Sequence, residues 1–347
     1  MAQRLIFTND VNRELAAIVD RLHPSSLFLL TDTNTSRMVR PLIDLSATHI
    51  VIPAGDEHKN IDSLQHVWQG LQQGGATRQS VLVNLGGGVV TDLGGLAAAT
   101  FKRGMRFVNV PTTLLGAVDA AVGGKTGINY GGLKNEIGVF AEATDVVIST
   151  CFFSTLPSTE LKSGFAEMLK HALLTGSDEF DRLLDIDPER LSPENLLHRL
   201  QVSVMVKQRI VEQDPHEHGL RRALNLGHTV GHAFESHALA CGRPVPHGYA
   251  VAWGLVTECV LSHMMMKFPS DTLHRLAAFV HLHYGHFGIT CDDYDTLLTI
   301  MRHDKKSRQG EINCTLLAGC GDVRTGITVA PDDMCVAFDI YRDLMGI

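Results

Sequence analysis

The strongest constraint on the fold is a series of short apolar segments in the first 150 residues, with amphipathic helical segments between them. Strands that are buried on both faces are apolar throughout, and helices between such strands indicate parallel crossover connections. The sequence therefore predicts an N-terminal α/β domain with a parallel sheet covered by helices. The five predicted strands are 26–31, 48–52, 80–85, 106–110 and 145–149.

After Pro157 the pattern changes to apolar residues at helical spacing, which predicts a mostly α-helical second domain. One exception is 311–328, where two β-rich runs flank a short turn and indicate a hairpin. We therefore expect two domains, 1–156 and 157–347. The predicted helices are 158–175, 194–213, 222–240, 248–267, 270–283 and 293–302.

Composition narrows the classes of partner. Thirty Lys and Arg against 38 Asp and Glu give a formal charge of −8, which argues against a nucleic-acid or membrane-surface binder. The seven cysteines include no CxxC pair, a usage typical of reduced thiols. The N-terminus has no apolar run of signal-peptide length, and no segment reaches the roughly 20 apolar residues of a membrane span. We expect a cytoplasmic protein.

A glycine-rich segment, LGGGVVTDLGG at 85–95, joins a predicted strand to a predicted helix. Backbone N–H groups at such a helix N-terminus can bind a phosphate, although a tight turn explains the glycines equally well. Asp32 and Asn34 follow another strand, at the edge where parallel sheets bind ligands. Helix capping by Asn34 or Thr35 is the alternative there.

A second glycine-rich segment, 110–138, contains cations in surroundings too apolar for a solvated loop. Lys125 follows a Gly-Gly pair and can meet a phosphate as a point charge, and Arg103 lies just upstream. We expect at least one of them to bind an anion. The alternative is that both are ordinary surface charges.

Two later segments carry acidic and imidazole groups. Glu167 and Lys170 lie on the same face of a predicted helix. A surface ion pair is the alternative explanation for these two residues. A set of five polar residues recurs at spacings of 4, 3, 4 and 3, which predicts one polar face of a single helix. The set is Arg221, Asn225, His228, His232 and Glu235.

That polar face indicates a metal site. Histidines four residues apart can chelate zinc, and His247, at a predicted helix start, is a third candidate. Glu167 with two of the three histidines would form a His₂Glu set with an open coordination position, as in catalytic zinc sites. Spacing alone leaves the pairs His228/His232 and His228/His247 both open.

Together these segments resemble the 3-dehydroquinate synthase family. The resemblance covers nearly the whole chain in the family's order and implies a Rossmann-like NAD-binding domain followed by a helical metal- and substrate-binding domain. The matching blocks are TDTN (31–34), LGGGVVTDLGG (85–95), FKRG (101–104), VPTTLLGAVDAAVGGKTGIN (110–129), LKNEIG (133–138), STLP (154–157), SGFAEMLKHALL (163–174), LNLGHTVGHAFE (224–235), VPHG (245–248) and DKK (304–306).

The resemblance also implies roles for individual residues. Zn²⁺ or Co²⁺ is expected on Glu167, His228 and His247, with His232 as an acid/base that contacts phosphate. Arg103 is expected to reach a phosphate across a homodimer interface. Substrate contacts are implied for Asp119, Lys125, Asn135, Lys170, Lys207, Arg221, Asn225 and one or both of Lys305 and Lys306. NAD contacts are implied for Asp32, Asn34, Asp56, Lys59, Gly87, Gly88, Asp92, Thr112, Thr113, Lys134 and Thr155. Asp56 is a departure, because the family usually has glutamate there.

The family's reaction converts 3-deoxy-D-arabino-heptulosonate 7-phosphate to 3-dehydroquinate and phosphate, a step of the shikimate pathway towards chorismate and the aromatic amino acids. It implies NAD-dependent oxidation, phosphate elimination, return of the hydride and an intramolecular aldol closure, so that NAD is recycled. Two alternatives share the two-domain plan. One is another sugar-phosphate cyclase, and the other is a metal-dependent alcohol or glycerol dehydrogenase, which would release NADH.

Overall fold

The computed structural model describes residues 3–190, 193–302 and 311–347. The chain divides into two units, Met1–Pro157 with Ser192–Val204, and Ser158–Leu191 with Met205–Ile347. In the first unit, six parallel strands form one sheet in the order β1-β8-β5-β4-β2-β3, and β6 and β7 form a separate antiparallel hairpin. The strands are β1 (Arg4–Phe7), β2 (Leu27–Asp32), β3 (Thr48–Ile52), β4 (Val81–Gly86), β5 (Arg106–Pro111), β6 (Lys125–Tyr130), β7 (Leu133–Phe140) and β8 (Asp145–Ile148).

The parallel α/β domain predicted from the sequence is confirmed, and all five predicted strands are members of the sheet. The central strand β4 is buried at every position, which accounts for its continuously apolar sequence. Two elements were not predicted: the short edge strand β1 and the β6–β7 hairpin. The helices of this unit are α1 (Val11–Leu22), α2 (Thr33–Met38), α3 (Ile61–Gln73) and α4 (Gly88–Thr100).

The second unit is mostly helical, as predicted, and the predicted late hairpin is present as two antiparallel strands. α6 and α12 were not predicted. The elements are α5 (Ser158–Thr175), α6 (Ser177–Leu184), α7 (Pro193–Gln213), which begins in the residues grouped with the first unit, α8 (His228–Ala240), α9 (His247–Met266), α10 (Ser270–Tyr284), α11 (Tyr294–Arg302), β9 (Ile312–Gly319), β10 (Asp322–Val329) and α12 (Pro331–Met345).

The prediction of one continuous helix over 222–240 is wrong. A 3₁₀ helix spans Leu220–Asn225, Leu226 is not helical, and α8 begins at His228. The break lies at Gly227, whose φ of +77° is in the left-handed region that favours glycine. Arg221 and Asn225 therefore belong to a different element from the histidines, and the five polar residues do not share one helix face.

None of the described helices is both long enough and apolar enough to cross a membrane.

Candidate active site

The glycine-rich segment of the first unit folds as predicted, with β4 ending at Gly86 and α4 beginning at Gly88. Gly87 is the N-cap residue and has no side chain with which to cap this helix. The first N–H groups of α4 are therefore suited to bind an anion in place of an N-cap side chain. A Cβ on Gly87 would lie 3.1 Å from Thr113 Cγ2, so there is little room for a residue larger than glycine at position 87.

Two predicted nucleotide-binding threonines adjoin this turn. Thr112 is buried, and its backbone N–H donates to Gly86 O at 3.0 Å, which ties the end of β5 to the end of β4. Thr113 Oγ1 accepts a hydrogen bond from the backbone N–H of Gly116 at 3.0 Å. The structure thus brings Thr112, Thr113 and the 86–88 turn together.

At the end of β2, Asp32 Oδ1 accepts a hydrogen bond from the N–H of Thr35 at 2.8 Å and caps α2. The capping that the sequence analysis considered for Asn34 or Thr35 is performed by Asp32 instead. Asn34 is exposed on the first turn of α2. Thr155 is exposed too, and its hydroxyl donates to Phe152 O at 2.7 Å.

A buried lysine joins three parts of the first unit. Lys59 is 5% exposed, and its Nζ lies 2.5 Å from both Asp92 Oδ2, on α4, and Asn135 Oδ1, on β7. Asn129 closes the same network, because its N–H donates to Lys59 O at 2.7 Å and its Oδ1 accepts from the N–H of Asn135 at 3.0 Å. These contacts fix the hairpin to the segment that contains Lys59.

Asp56 joins the same hairpin. Its Oδ2 lies 3.4 Å from Lys134 Nζ and 3.2 Å from Asn129 Nδ2. Four residues expected to contact NAD (Asp56, Lys59, Asp92 and Lys134) and one expected to contact substrate (Asn135) are thus linked through the hairpin.

The remaining predicted residues of this unit differ in exposure. Asp119 lies half-buried in a π-helical turn, Gly116–Ala120, a conformation that occurs frequently at functional sites. Lys125 is exposed at the start of β6. Arg103 is exposed and has a φ of +65°, beside Lys102 at +49°. Two adjacent non-glycine residues in the left-handed region indicate backbone strain.

In the second unit, a lysine and two histidines from three helices lie around one buried carboxylate. Glu167 on α5 is fully buried, and Lys170, one turn later, lies directly against its Oε2. Glu167 Oε1 lies 3.3 Å from His228 Nε2 and 3.7 Å from His247 Nε2. The alternative of a surface ion pair is excluded, because Lys170 is also buried.

His232 lies close to the same two imidazoles. Its ring centroid is 5.3 Å from that of His228 and 5.8 Å from that of His247. The nearest ring nitrogens of the three histidines all lie within 4.8 Å of one another. The structure therefore brings all three candidates together, and proximity alone does not select a pair.

The Nδ1 atoms of His228 and His247 contact different kinds of partner, a backbone carbonyl and a carboxylate. His228 Nδ1 lies 3.1 Å from Leu226 O, and His247 Nδ1 lies 3.2 Å from Glu235 Oε2. In both histidines the Nδ1 atom is engaged, while Nε2 faces Glu167. Glu235 was part of the predicted polar set, but its contact with His247 could not be read from spacing.

The charges around Glu167 shift several pKa values. Burial would raise the pKa of Glu167, but Lys170 and the two imidazoles hold it well below its usual range. Burial and the charge of Lys170 lower the pKa of His228 to about 4. Burial also acts to lower the pKa of His247, but the carboxylates of Glu167 and Glu235 outweigh it and raise that pKa to about 10. The pKa shifts of the two imidazoles have opposite signs because His247 has a second carboxylate, Glu235, beside it.

Arg221 and Asn225 are positioned by the loop between α7 and the 3₁₀ helix. Arg221 is 2% exposed, and its Nη1 donates to Pro215 O at 2.6 Å. Asn225 Nδ2 donates to Glu217 Oε1 at 3.0 Å. Asp214 accepts backbone hydrogen bonds within this loop. The sequence analysis did not single out Asp214, because its role depends on the backbone conformation of the turn.

Lys207 is buried on α7. Lys305 and Lys306, and with them the DKK block, lie outside the described residues.

Comparison with known proteins decides the family. A family model described as 3-dehydroquinate synthase N-terminal matches residues 49–163, and one described as 3-dehydroquinate synthase C-terminal matches 164–307. A 3-dehydroquinate synthase of Parabacteroides distasonis is 44% identical over 350 residues, covering 99% of each chain. The chain belongs to the 3-dehydroquinate synthase family. Members of this family are enzymes of the lyase type.

Solved structures agree with the fold class of this family. A 2-epi-5-epi-valiolone synthase from Streptomyces hygroscopicus subsp. jinggangensis 5008, with NAD⁺ and Zn²⁺ bound, is 26% identical with a TM-score of 0.87, covering 99% of this chain and 97% of that one. A 2-deoxy-scyllo-inosose synthase, complexed with carbaglucose-6-phosphate, NAD⁺ and Co²⁺, is 22% identical with a TM-score of 0.84, covering 98% and 96%. The latter likeness shows the fold alone.

Proposed function

We propose that this member of the 3-dehydroquinate synthase family converts 3-deoxy-D-arabino-heptulosonate 7-phosphate to 3-dehydroquinate and phosphate, with NAD and a divalent cation, Zn²⁺ or Co²⁺. The observation that carries the proposal is the buried Glu167 carboxylate with the Nε2 atoms of His228 and His247 beside it. The proposed division of work is an NAD-binding domain over 1–156 and a metal- and substrate-binding domain over 157–347.

The donor set fits a divalent cation. Neither oxygen of Glu167 makes a hydrogen bond of good geometry within the described part of the chain, although both are fully buried. One carboxylate oxygen and two imidazole nitrogens form a three-ligand set of the kind that binds catalytic zinc and leaves a position for substrate. A cation on these three atoms would give the buried Glu167 carboxylate a direct bonding partner.

Of the three histidines, His228 and His247 are the proposed ligands. A ligating imidazole usually donates its other N–H to a carboxylate or a carbonyl. His247 has Glu235 in that place and His228 has Leu226 O. We assign His232 to proton transfer and phosphate contact instead.

A cation held by Glu167, His228 and His247 would supply Lewis acidity to a substrate hydroxyl, and NAD bound to the first unit would supply reversible hydride transfer. The chain's own residues supply orientation and charge. Lys125, Asn135 and His232 are proposed to orient the phosphate while the substrate's own phosphate oxygen takes the proton. Lys207, Arg221 and Asn225 are proposed to hold the opposite end of the substrate, with Asp119, Lys170 and Lys305 or Lys306 completing the contacts.

The nucleotide side of the proposal rests on the first unit. The N-terminus of α4, whose N-cap residue is Gly87 and whose first residue is Gly88, fits a pyrophosphate. Asp32, Asn34, Asp56, Lys59, Asp92, Thr112, Thr113, Lys134 and Thr155 are proposed to contact the rest of NAD. Asp56 Oδ2 lies 3.4 Å from Lys134 Nζ. The aspartate side chain, which is one methylene shorter than the family's glutamate, is therefore long enough to reach this lysine.

A homodimer is part of the proposal. Arg103 is exposed on a strained turn, where its side chain can be offered to the phosphate of a partner copy. We also propose a cytoplasmic location, which the seven free cysteines support.

The test is a reaction of purified protein with NAD, Zn²⁺ or Co²⁺, and the heptulosonate phosphate, in which inorganic phosphate and absorbance at 340 nm are measured together. Because the hydride is returned in each turnover, phosphate should exceed any NADH by a large factor. Accumulation of one NADH per turnover would support a dehydrogenase instead. Preference for a heptulose phosphate without a carboxylate would support a different cyclase.

A further inference from the structure

A fully buried carboxylate lies in the middle of α9, outside the proposed ligand set. Glu258 is 0% exposed, and its Oε2 accepts a hydrogen bond from the N–H of Gly227 at 2.7 Å, 31 residues away in sequence. Its Oε1 accepts from the N–H of Val230 at 3.1 Å. Glu258 therefore caps the N-terminus of α8 from a neighbouring helix.

The Gly227 N–H belongs to the same peptide group as the Leu226 carbonyl. That carbonyl oxygen lies 3.1 Å from His228 Nδ1. One peptide group is thus held at both ends, by Glu258 at its N–H and by His228 at its oxygen. An N–H that donates to a carboxylate makes its carbonyl a stronger acceptor, because hydrogen bonds in a chain polarise one another.

The backbone around this peptide leaves few other orientations. Gly227 has a φ of +77°, and a Cβ on Gly254 of α9 would clash with Gly227 O, the oxygen of the following peptide group. α8 has no side-chain cap of its own among the described residues, since its N-cap is a glycine. The Glu258 carboxylate occupies the place that an N-cap side chain takes in other helices, and a carboxylate is favoured at a helix N-terminus.

We propose that Glu258 is a positioning residue for the metal ligand His228, acting through the Leu226–Gly227 peptide. By fixing this peptide, it holds the proton of His228 on Nδ1 and keeps Nε2 aimed at Glu167. This inference rests on the proposed metal site. Glu258 is thereby an additional partner of the ligand His228, which it contacts through the backbone. The spacing of the two residues in the sequence does not indicate this link.

The test compares Glu258→Gln with Ser262→Ala, using Co²⁺ as the probe. Gln is nearly isosteric, but it carries no charge and can accept at only one of the two positions. Ser262 is the matched control, because it is also buried on α9, and its hydroxyl accepts from the N–H of Leu317 at 3.0 Å and donates to the backbone oxygen of Glu258 at 2.7 Å. Ser262→Ala therefore removes hydrogen bonds on the same helix but leaves the Glu258 carboxylate and its two N–H donors in place. Loss of either group should lower the melting temperature.

Only Glu258→Gln should change the metal site. We expect a rise in the Co²⁺ dissociation constant of about 10- to 100-fold, measured by chelator competition, and an altered visible spectrum of the bound Co²⁺. Ser262→Ala should keep the wild-type constant and spectrum. A Glu258→Gln protein that loses thermal stability but binds Co²⁺ as the wild type does would overturn the inference. A wild-type protein that binds no Co²⁺ would overturn the proposed metal site itself.

A second measurement needs no variant of Glu258. In ¹⁵N-labelled wild-type protein loaded with Zn²⁺, the His228 ring should carry its proton on Nδ1, and the Gly227 amide proton should resonate far downfield because it faces a carboxylate. A His228 ring without a proton on Nδ1, or a Gly227 amide at an ordinary shift, would contradict the proposed contacts.

Discussion

Asp214 Oδ2 accepts a hydrogen bond from the backbone N–H of Arg221 at 3.0 Å. The same carboxylate accepts from the N–H groups of Gly219 at 2.7 Å and His218 at 2.9 Å, so one side chain closes the whole turn. The guanidinium of Arg221 is fixed separately by Pro215 O. Asp214 thus sets the backbone position from which the buried arginine extends.

This turn predicts a pH-dependent contribution to stability. The backbone hydrogen bond from Arg221, with those from Gly219 and His218, lowers the pKa of Asp214 to about 2, although desolvation opposes the shift. A folded-state pKa below the unfolded value of about 3.9 stabilises the protein above that value, and the gain is lost as the pH falls towards 2.

Asp214→Asn should therefore unfold at lower urea concentration than the wild type at pH 7, and the difference should narrow between about pH 4 and pH 2. Asp20→Asn, at an exposed position on α1, is the control for the loss of one carboxylate elsewhere in the chain. A difference between wild type and Asp214→Asn that stays constant with pH would show that the charge of Asp214 is not involved.

For the metal ligands, Glu167→Ala, His228→Ala and His247→Ala should each lose the bound cation, because two protein ligands are too few for tight binding. His232→Ala should retain it. Metal content per protein after dialysis, measured by mass spectrometry, gives the answer. Retention by His247→Ala together with loss from His232→Ala would replace His247 by His232 in the ligand set.

Arg221→Lys tests recognition of a substrate carboxylate. Lysine keeps the charge but loses the two-pronged guanidinium, so kcat/KM on the heptulosonate phosphate should fall by about 10- to 100-fold, while Zn²⁺ and NAD affinities stay within about twofold. Arg222→Lys, at the next position, should behave as wild type. Full activity of Arg221→Lys would remove the argument for a carboxylate partner.

Arg103 allows a test of the dimer by mixing two inactive variants. If Arg103 serves the partner copy, a heterodimer of Arg103→Ala and Glu167→Ala contains one intact site. Random exchange from an equal mixture makes half of the dimers mixed, so about a quarter of the wild-type activity should return. If Arg103 serves its own copy, every site keeps one defect and no activity should return.

The sheet could be predicted from sequence because its strands are buried and apolar. The parts that could not be predicted lack that signal. β7 is exposed at every position, so LKNEIGVF shows no buried pattern, although its Asn135 contacts Lys59. β1 has four residues and obtains its partner, β8, only through the tertiary fold.

The polar helix face shows a different limit. A spacing of 4, 3, 4 and 3 fits a helix, but it carries no information on backbone continuity, and Gly227 interrupts it with a positive φ. His228 and His247 still lie beside Glu167, because their positions depend on how α5, α8 and α9 pack. The partners that hold the candidate ligands, Glu235 and Glu258, become evident only when that packing is known.

The pairing of β1 with β8 sets the order in which a growing chain can complete its sheet. Asp145 at the start of β8 is fully buried, accepts from Arg21 Nη2 at 2.5 Å and lies 3.7 Å from Arg4 Nε. At about 5–20 residues per second, a ribosome needs roughly 7–28 s to travel from codon 4 to codon 145. Within that interval β2, β3 and β4 are made and can pair with one another, whereas the partner of β1 is still missing. β1 is therefore made before these three strands but can be paired only after them.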